Sequence, residues 1–305
     1  RQLKTFDRFI GIDWSGAAGA YQAGIQVAEI DTDTKRLRLI RPSGGSHWSR
    51  QSVLDFITSA IDRRTLVGFD FAFSLPWNQD LESLPVCFGA LAGARALWAF
   101  IDDFCNHTPF LHASPIWQSE ASPFRPFIKF WSRASQYQGD LFSGGQLRRT
   151  EIAAKASGLR PKSVYRLAGH QVGAGSFAGM RLLNRIAQAE SKDIAIWPFD
   201  EIATAKVVIA EIYPAAFYRL ANHARPTPKQ VKLGAHAPIA VDVLKFFDAR
   251  YDKSIPNSVD AIDALISAAA IMRLSQNPAL FPSFDDPHIS ANEGWIFSVR
   301  HGDEA

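Results

Sequence analysis

Cysteine, methionine and long apolar runs are all scarce in this chain of 305 residues. The two cysteines, Cys87 and Cys105, are too few for a disulfide framework, so we expect a reducing compartment, the cytoplasm. No apolar run approaches the roughly 20 residues that a membrane-spanning helix needs, and we expect no membrane partner. The net charge is only +3, which by itself indicates no particular partner.

Apolar residues are abundant, at 47% of the chain, and they come in short runs. This content is enough to bury one large core or two modest ones. Residues 8–16, 20–30 and 36–40 are apolar or roughly alternate between apolar and polar, and short turns separate them. The pattern predicts three strands in an antiparallel meander.

A helix, three further strands and a closing helix follow in the sequence. Ser49 predicts the N-cap of a helix, because apolar residues at helical spacing come after it. Residues 65–76 are apolar almost throughout, which predicts a strand covered on both faces. Strand patterns return at 194–198 and 206–214, and residues 259–274 predict an apolar closing helix.

A long segment, residues 77–190, interrupts this pattern and is predicted to be mostly helical. Residues 125–185 hold eleven lysines and arginines against two acids, a net of +9, which leaves −6 for the rest of the chain. Such asymmetry is typical of a polyanion-binding surface. We predict a single domain over 1–305, with a core of 1–76 and 191–305 and a basic helical insertion at 77–190.

Four aspartates belong to core elements of low polarity, where unpaired carboxylates are costly. Asp13 ends the first strand, Asp70 lies on the fourth, and Asp260 and Asp263 lie one turn apart on the closing helix. Carboxylates gathered in this way suit Mg²⁺ or Mn²⁺. Two such ions, roughly 3.5–4 Å apart, support phosphodiester cleavage. Glu211, on the last strand, is either a fifth ligand or the partner of a basic neighbour.

Candidate contacts to nucleic acid lie in the basic window. We expect five cations to hold the phosphate backbone: Arg148, Arg149, Lys162, Arg166 and Arg181. His170 is a candidate for proton transfer. A glycine-rich loop over residues 169–181, which contains Gln171 and Ser176, opens a helix and can present backbone N–H groups to a phosphate. A hinge or a tight turn is an equally good interpretation of that loop.

Several short blocks, taken in order over residues 9–268, resemble ribonuclease-H-like nucleases. The blocks are Gly-Ile-Asp13, Gly-Phe-Asp70 leading to Ser-Leu-Pro76, Lys162-Ser-Val-Tyr, Gln171-Val-Gly-Ala-Gly-Ser, Glu211-Ile-Tyr-Pro214 and Asp260-Ala-Ile-Asp263-Ala. They are similar to a family of such nucleases catalogued as domain of unknown function 429. The closing-helix pair is similar to that of Holliday-junction resolvases. The resemblance implies an α/β ribonuclease-H-like fold, with a mixed five-stranded sheet flanked by helices and the insertion after the fourth strand.

We therefore predict an enzyme, a metal-dependent nuclease that hydrolyses DNA or RNA with two bound ions. The candidate catalytic residues are Asp13, Asp70, Asp260, Asp263 and Glu211. One alternative is an actin-like ATP-dependent phosphotransferase, which also begins with Gly-Ile-Asp-x-x-Gly, but no glycine follows Asp70 and no duplicated half is visible. The other is a nucleic-acid-binding protein on an inactivated nuclease core, against which the presence of all four aspartates argues.

Overall fold

A mixed sheet of six strands forms the centre of the fold. It is seen in a computed structural model, which describes residues 5–77, 93–125, 129–130, 147–167 and 172–301. The strands of this sheet are β1 (Arg8–Asp13), β2 (Gln26–Asp31), β3 (Arg38–Ile40), β4 (Thr65–Asp70), β7 (Ile194–Ile196) and β8 (Val207–Glu211). The short strands β5 (Lys129–Phe130) and β6 (Arg166–Leu167) form a separate pair.

Across the sheet the strands follow the order β3-β2-β1-β4-β8-β7. Strands β1, β2 and β3 are antiparallel neighbours, which confirms the predicted meander. Strand β4 lies between β1 and β8 and is parallel to both, as expected for a strand that is apolar almost throughout. The sheet has one strand more than the five predicted, because β7 pairs with β8 at the edge.

Nine α-helices are present in the described part of the chain. They are α1 (Arg50–Thr58), α2 (Ala94–Phe104), α3 (Pro115–Gln118), α4 (Arg149–Ala156), α5 (Gly173–Gln188), α6 (Pro214–Leu220), α7 (Pro228–Lys232), α8 (Ala237–Phe246) and α9 (Val259–Leu274). The Ser49 hydroxyl accepts a hydrogen bond from the backbone N–H of Ser52 at 3.0 Å, which confirms the predicted N-cap of α1. The predicted bounds of α9 are confirmed as well.

Helices cover both faces of the sheet. Ile10 and Ile12 of β1 belong to a buried cluster with residues of α1, α2 and α5. Phe9, which points to the opposite face, belongs to a second cluster with residues of α6, α8 and α9. The protein is therefore an α/β fold of three layers.

The predicted insertion contributes to this core. Its helices α2 and α5 place Trp98 and Phe177 in the same buried cluster as Phe69 of β4. The apolar face that these side chains cover would be costly to expose to water. The described part of residues 77–190 thus forms a layer of the domain and not a lobe outside it.

Helix α9 lies directly against β1 because Gly11 has no side chain. A Cβ atom at this position would lie 2.5 Å from both the carbonyl oxygen of Ala264 and the backbone nitrogen of Ala268. Such a separation is far shorter than van der Waals contact, so only glycine permits this approach. The consequence is that the first turns of α9 lie beside the end of β1.

Candidate active site

Three acids end three neighbouring parallel strands. Asp13 ends β1, Asp70 ends β4 and Glu211 ends β8. Asp13 and Asp70 are register partners, and Glu211 is the register partner of Phe69, one residue earlier on β4. Because adjacent strands lie about 4.8 Å apart, the side chains of Asp13 and Asp70 emerge next to each other. The carboxyl ends of parallel strands are a common location of active sites in open α/β sheets.

Helix α9 brings the other two aspartates to the same edge. Its N-cap, Ser258, accepts a hydrogen bond from the backbone N–H of Ala261 at 3.3 Å. Asp260 follows in the first turn and Asp263 one turn later on the same face. The structure thus brings all four sequence-predicted aspartates together, and the charges of Asp70, Asp260 and Asp263 each raise the pKa of Asp13.

A cleft of about 490 Å³ opens at this edge. Six polar or charged residues among those that line it are Asp13, Asp70, Lys162, Tyr213, Arg225 and Asp260. One wall is formed where the loop after β1 meets the start of α5, and there the indole Nε1 of Trp14 donates a hydrogen bond to the carbonyl of Gly175 at 3.1 Å. A Cβ at Gly16 would lie 2.2 Å from the nitrogen of Gly175, so this wall requires glycine at position 16.

Asp13 and Asp70 of the cleft resist ionisation. Burial and then the charges of Asp70, Asp263 and Asp260 raise the pKa of Asp13 well above its ordinary value. Burial raises the pKa of Asp70 to about 7, although Arg225 opposes the shift. A cluster of acids whose like charges are not balanced is typical of functional sites.

Asp13 and Asp70 are also unpaired within the described structure. Asp13 is only 7% exposed and Asp70 is half-buried. Neither carboxylate accepts a hydrogen bond from, or forms an ion pair with, any of the described residues. Both carboxylates line the cleft, so oxygens that no described residue holds are available there to a ligand that supplies positive charge.

Both carboxylate oxygens of Asp263, in contrast, accept hydrogen bonds from protein side chains. The Tyr218 hydroxyl donates a hydrogen bond to its Oδ1 at 2.9 Å, and the Arg225 Nε donates to its Oδ2 at 2.5 Å. The Nη2 of Arg225 adds an ion pair to the same Oδ2. Asp263 is therefore held by protein groups, unlike Asp13 and Asp70.

Glu211 is paired with a basic neighbour, which was one of the two interpretations of its sequence. The Arg148 Nη1 donates to its Oε2 at 2.7 Å, and Arg148 Nη2 donates to its Oε1. The backbone N–H of Phe73 donates to Oε2 as well, at 3.0 Å. Both oxygens are occupied, so the prediction of Glu211 as a catalytic residue is not supported by this geometry.

Three of the residues predicted to contact nucleic acid are buried in the core. Arg148 pairs with Glu211 and Glu151 and has no exposed surface. Arg181, 1% exposed, pairs with Asp102. The Ser176 hydroxyl accepts from the backbone N–H of Ala72 at 3.0 Å and donates to a backbone carbonyl. This geometry does not support the predicted role for these three, because each side chain is buried and already bonded to other protein groups.

The remaining predicted contacts differ in position. Lys162 is exposed and lines the cleft. Arg149 forms an ion pair with Asp286 at the surface, and Arg166 of β6 is half-buried beside a different depression. His170 and Gln171 lie outside the described residues. Of the members of this set that the structure describes, only Lys162 lines the cleft with the acids.

The acids fit a hard divalent cation, although they do not form a preassembled cage. No group of three or more His, Cys, Asp or Glu side chains in the described ranges is arranged to hold a metal ion. Mg²⁺, however, is usually bound by one or two carboxylates and keeps several waters. Asp13 and Asp70 are two adjacent carboxylates that no described residue engages, and Asp260 lines the same cleft.

Arg225 and Tyr218 are the site residues that the sequence did not reveal. Arg225 lies 38 residues before Asp263, in a loop rich in proline and lysine that carries no motif. Tyr218 lies on α6, at a position that suits an ordinary core aromatic. The packing of α6 against α9 brings Tyr218 to Asp263, and the loop after α6 brings Arg225 there, so no local pattern pointed to them.

Three comparisons with known proteins found no match to this chain. No protein-family model matches the chain, and no curated protein or solved structure matches it. Across the helices that the structure describes, none is both long enough and apolar enough to cross a membrane. What the site does is therefore inferred from its own geometry and from the sequence blocks.

Proposed function

We propose that this protein is a metal-dependent nuclease with a ribonuclease-H-like fold. The observation that carries the proposal is the unpaired pair Asp13 and Asp70, which lie in register on adjacent strands at the floor of a cleft. Oxygen ligands of this kind suit Mg²⁺ or Mn²⁺.

The topology supports the same proposal. Three antiparallel strands are followed by a helix and a parallel strand, and acids end the first and fourth strands and begin the closing helix. This is the arrangement that the resemblance to ribonuclease-H-like nucleases implies. Since a fold alone does not determine a function, the proposal rests on the site within it.

A divalent cation held at Asp13 and Asp70 would supply an activated water and would stabilise the leaving oxygen of a phosphodiester. The chain itself supplies the remaining parts. The carboxylate of Asp260 adds negative charge that favours the cation. Lys162 and Arg225 place positive charge on the cleft walls, where a phosphate backbone would lie. The cleft is open to solvent, as a site for a polymeric substrate must be.

The experiment that tests the proposal combines binding and cleavage. Mn²⁺ is titrated into the wild type and into Asp13→Asn by calorimetry, and both proteins are then incubated with single- and double-stranded DNA and RNA. We expect the wild type to bind Mn²⁺ and cleave at least one substrate, and the variant to do neither. Asp103→Asn, an exposed acid on α2, serves as the matched control. A wild type that binds no Mn²⁺ would refute the proposed function.

A further inference from the structure

Arg225 occupies a particular place in the acid cluster. Its guanidinium uses Nε and Nη2 to bind one oxygen of Asp263 while the residue also lines the cleft. Its charge lowers the pKa of Asp13, Asp70 and Asp263. Among the residues that the structure describes, Arg225 is the cation that acts on all three.

Asp263 is not available as an ordinary metal ligand. One of its oxygens is held by Arg225 and the other by Tyr218. Asp263 itself has no exposed surface, so the ion pair is buried on the side of the acid. Separating a buried charge from its partner is strongly unfavourable, and a divalent ion that approached Asp263 would also meet the positive charge of Arg225.

The Nη1 atom of Arg225 is available to bind a ligand in the cleft. Its Nη1 makes no hydrogen bond to any residue in the described ranges, and 42% of its side chain is exposed. A guanidinium presents its N–H groups in a fixed fork that matches two oxygens of a carboxylate or a phosphate. With Nε and Nη2 committed to Asp263, the orientation of the guanidinium is fixed and Nη1 remains for a ligand in the cleft.

We infer that Arg225 takes the place of the second metal ion. In this arrangement the centre binds one divalent cation, at Asp13 and Asp70, and Asp263 positions Arg225 to contact the phosphate of the substrate. The inference rests on the proposed function and replaces the two ions expected from the sequence with one ion and one arginine. Asp263 then acts as a positioning residue and not as a metal ligand.

The number of Mn²⁺ ions bound per chain tests this inference without any measurement of activity. We expect one ion in the wild type. Arg225→Met removes the charge at similar volume and frees one oxygen of Asp263, so a second, weaker ion should appear. Arg225→Lys keeps the charge and should bind one ion. Arg219→Met is the matched control, since Arg219 lies on α6 and donates to the carbonyl of Ser157, away from the acids.

A second variant tests the inference even if Arg225→Met fails to fold. We expect Asp263→Asn to keep its Mn²⁺, with affinity reduced by at most about 10–100-fold, the range for a residue outside the coordination shell. Asp13→Asn should lose measurable binding. Circular dichroism and thermal unfolding check that each variant is folded.

The outcomes separate this inference from the proposed function. No Mn²⁺ on the wild type would overturn both. Two ions on the wild type, or abolished binding in Asp263→Asn, would overturn the role of Arg225 and leave the nuclease proposal intact. A single ion on a folded Arg225→Met variant would likewise show that Arg225 does not exclude a second one.

Discussion

Two groups of carboxylates lie side by side at the carboxyl edge of the sheet, and they differ in how their charge is balanced. The open pair consists of Asp13 and Asp70, which have no partner among the described residues. The closed triad consists of Arg148, Glu151 and Glu211, in which the arginine holds both glutamates. The two groups are separated by a single step between strands, because β8 lies next to β4.

The same edge of the sheet carries one group of charges that stabilises the fold and another that remains available to a ligand. In the closed triad every charge is buried and hydrogen-bonded, so the arrangement holds α4 against β8. In the open pair the like charges remain unbalanced, which lowers stability in the absence of a ligand and leaves the oxygens available. Functional sites commonly retain such unfavourable electrostatics.

The largest effect should come from breaking the closed triad. We expect Arg148→Met to lower the free energy of unfolding by about 3–5 kcal/mol, because it leaves two buried glutamates without their partner. Chemical denaturation measures the change. The matched control is the next residue, Arg149→Met, whose exposed ion pair with Asp286 contributes at most about 1 kcal/mol. Equal effects of the two variants would contradict the distinction.

Removing one carboxylate of the open pair should raise the free energy of unfolding, whereas breaking the closed triad lowers it. Asp13→Asn replaces a carboxyl group that is costly to ionise in the folded state by a neutral group of nearly the same shape, and we expect the metal-free protein to gain on the order of 1–3 kcal/mol at pH 8. Thermal unfolding in the presence of a chelator measures the gain. Mn²⁺ should raise the melting temperature of the wild type but not that of the variant. A destabilised variant would show that Asp13 is balanced by a partner.

The pH dependence of the metal-free protein sharpens the same contrast. The pKa of Asp70 in the folded state is about 7, above its value in the unfolded chain, so the folded state binds the proton more tightly. This contribution to stability is complete at low pH and is lost as the pH rises through 7. We expect the loss between pH 5 and 8 to be smaller in Asp70→Asn. Unfolding curves at a series of pH values, for both proteins, provide the test.

The sequence was most informative where a pattern is local. Strand alternation and the apolar run of β4 predicted the order of the central strands, and Ser49 marked the start of α1. The position of Asp13 at the end of its strand also followed from the hydrophobic pattern, whereas β4 ends at Asp70 and not at residue 76 as predicted. A local pattern specifies which residues are buried but leaves open what each buried face contacts.

The parts that sequence reasoning missed depend on contacts between distant residues. The ion pair of Arg148 with Glu211 spans 63 residues, and that of Arg225 with Asp263 spans 38. The net charge of residues 125–185 includes every arginine, whether exposed or buried. Arg148 and Arg181, however, neutralise acids inside the core. The charge of a segment therefore overstates its basic surface wherever its arginines pair with acids from elsewhere in the chain.

The smallest expected effect concerns Lys162, the exposed predicted cation that lines the cleft beside the open pair. In an Asp13→Asn background, in which the proposed function predicts no cleavage, Lys162→Ala should weaken nucleic-acid binding about equally for all sequences. The slope of log affinity against log salt should fall by about 0.7–0.9, the amount for one phosphate contact. Lys206→Ala is the control, because Lys206 precedes β8 at the opposite edge of the sheet. An equal change in slope for both lysines would mean that binding is spread over the surface and is not centred on the cleft.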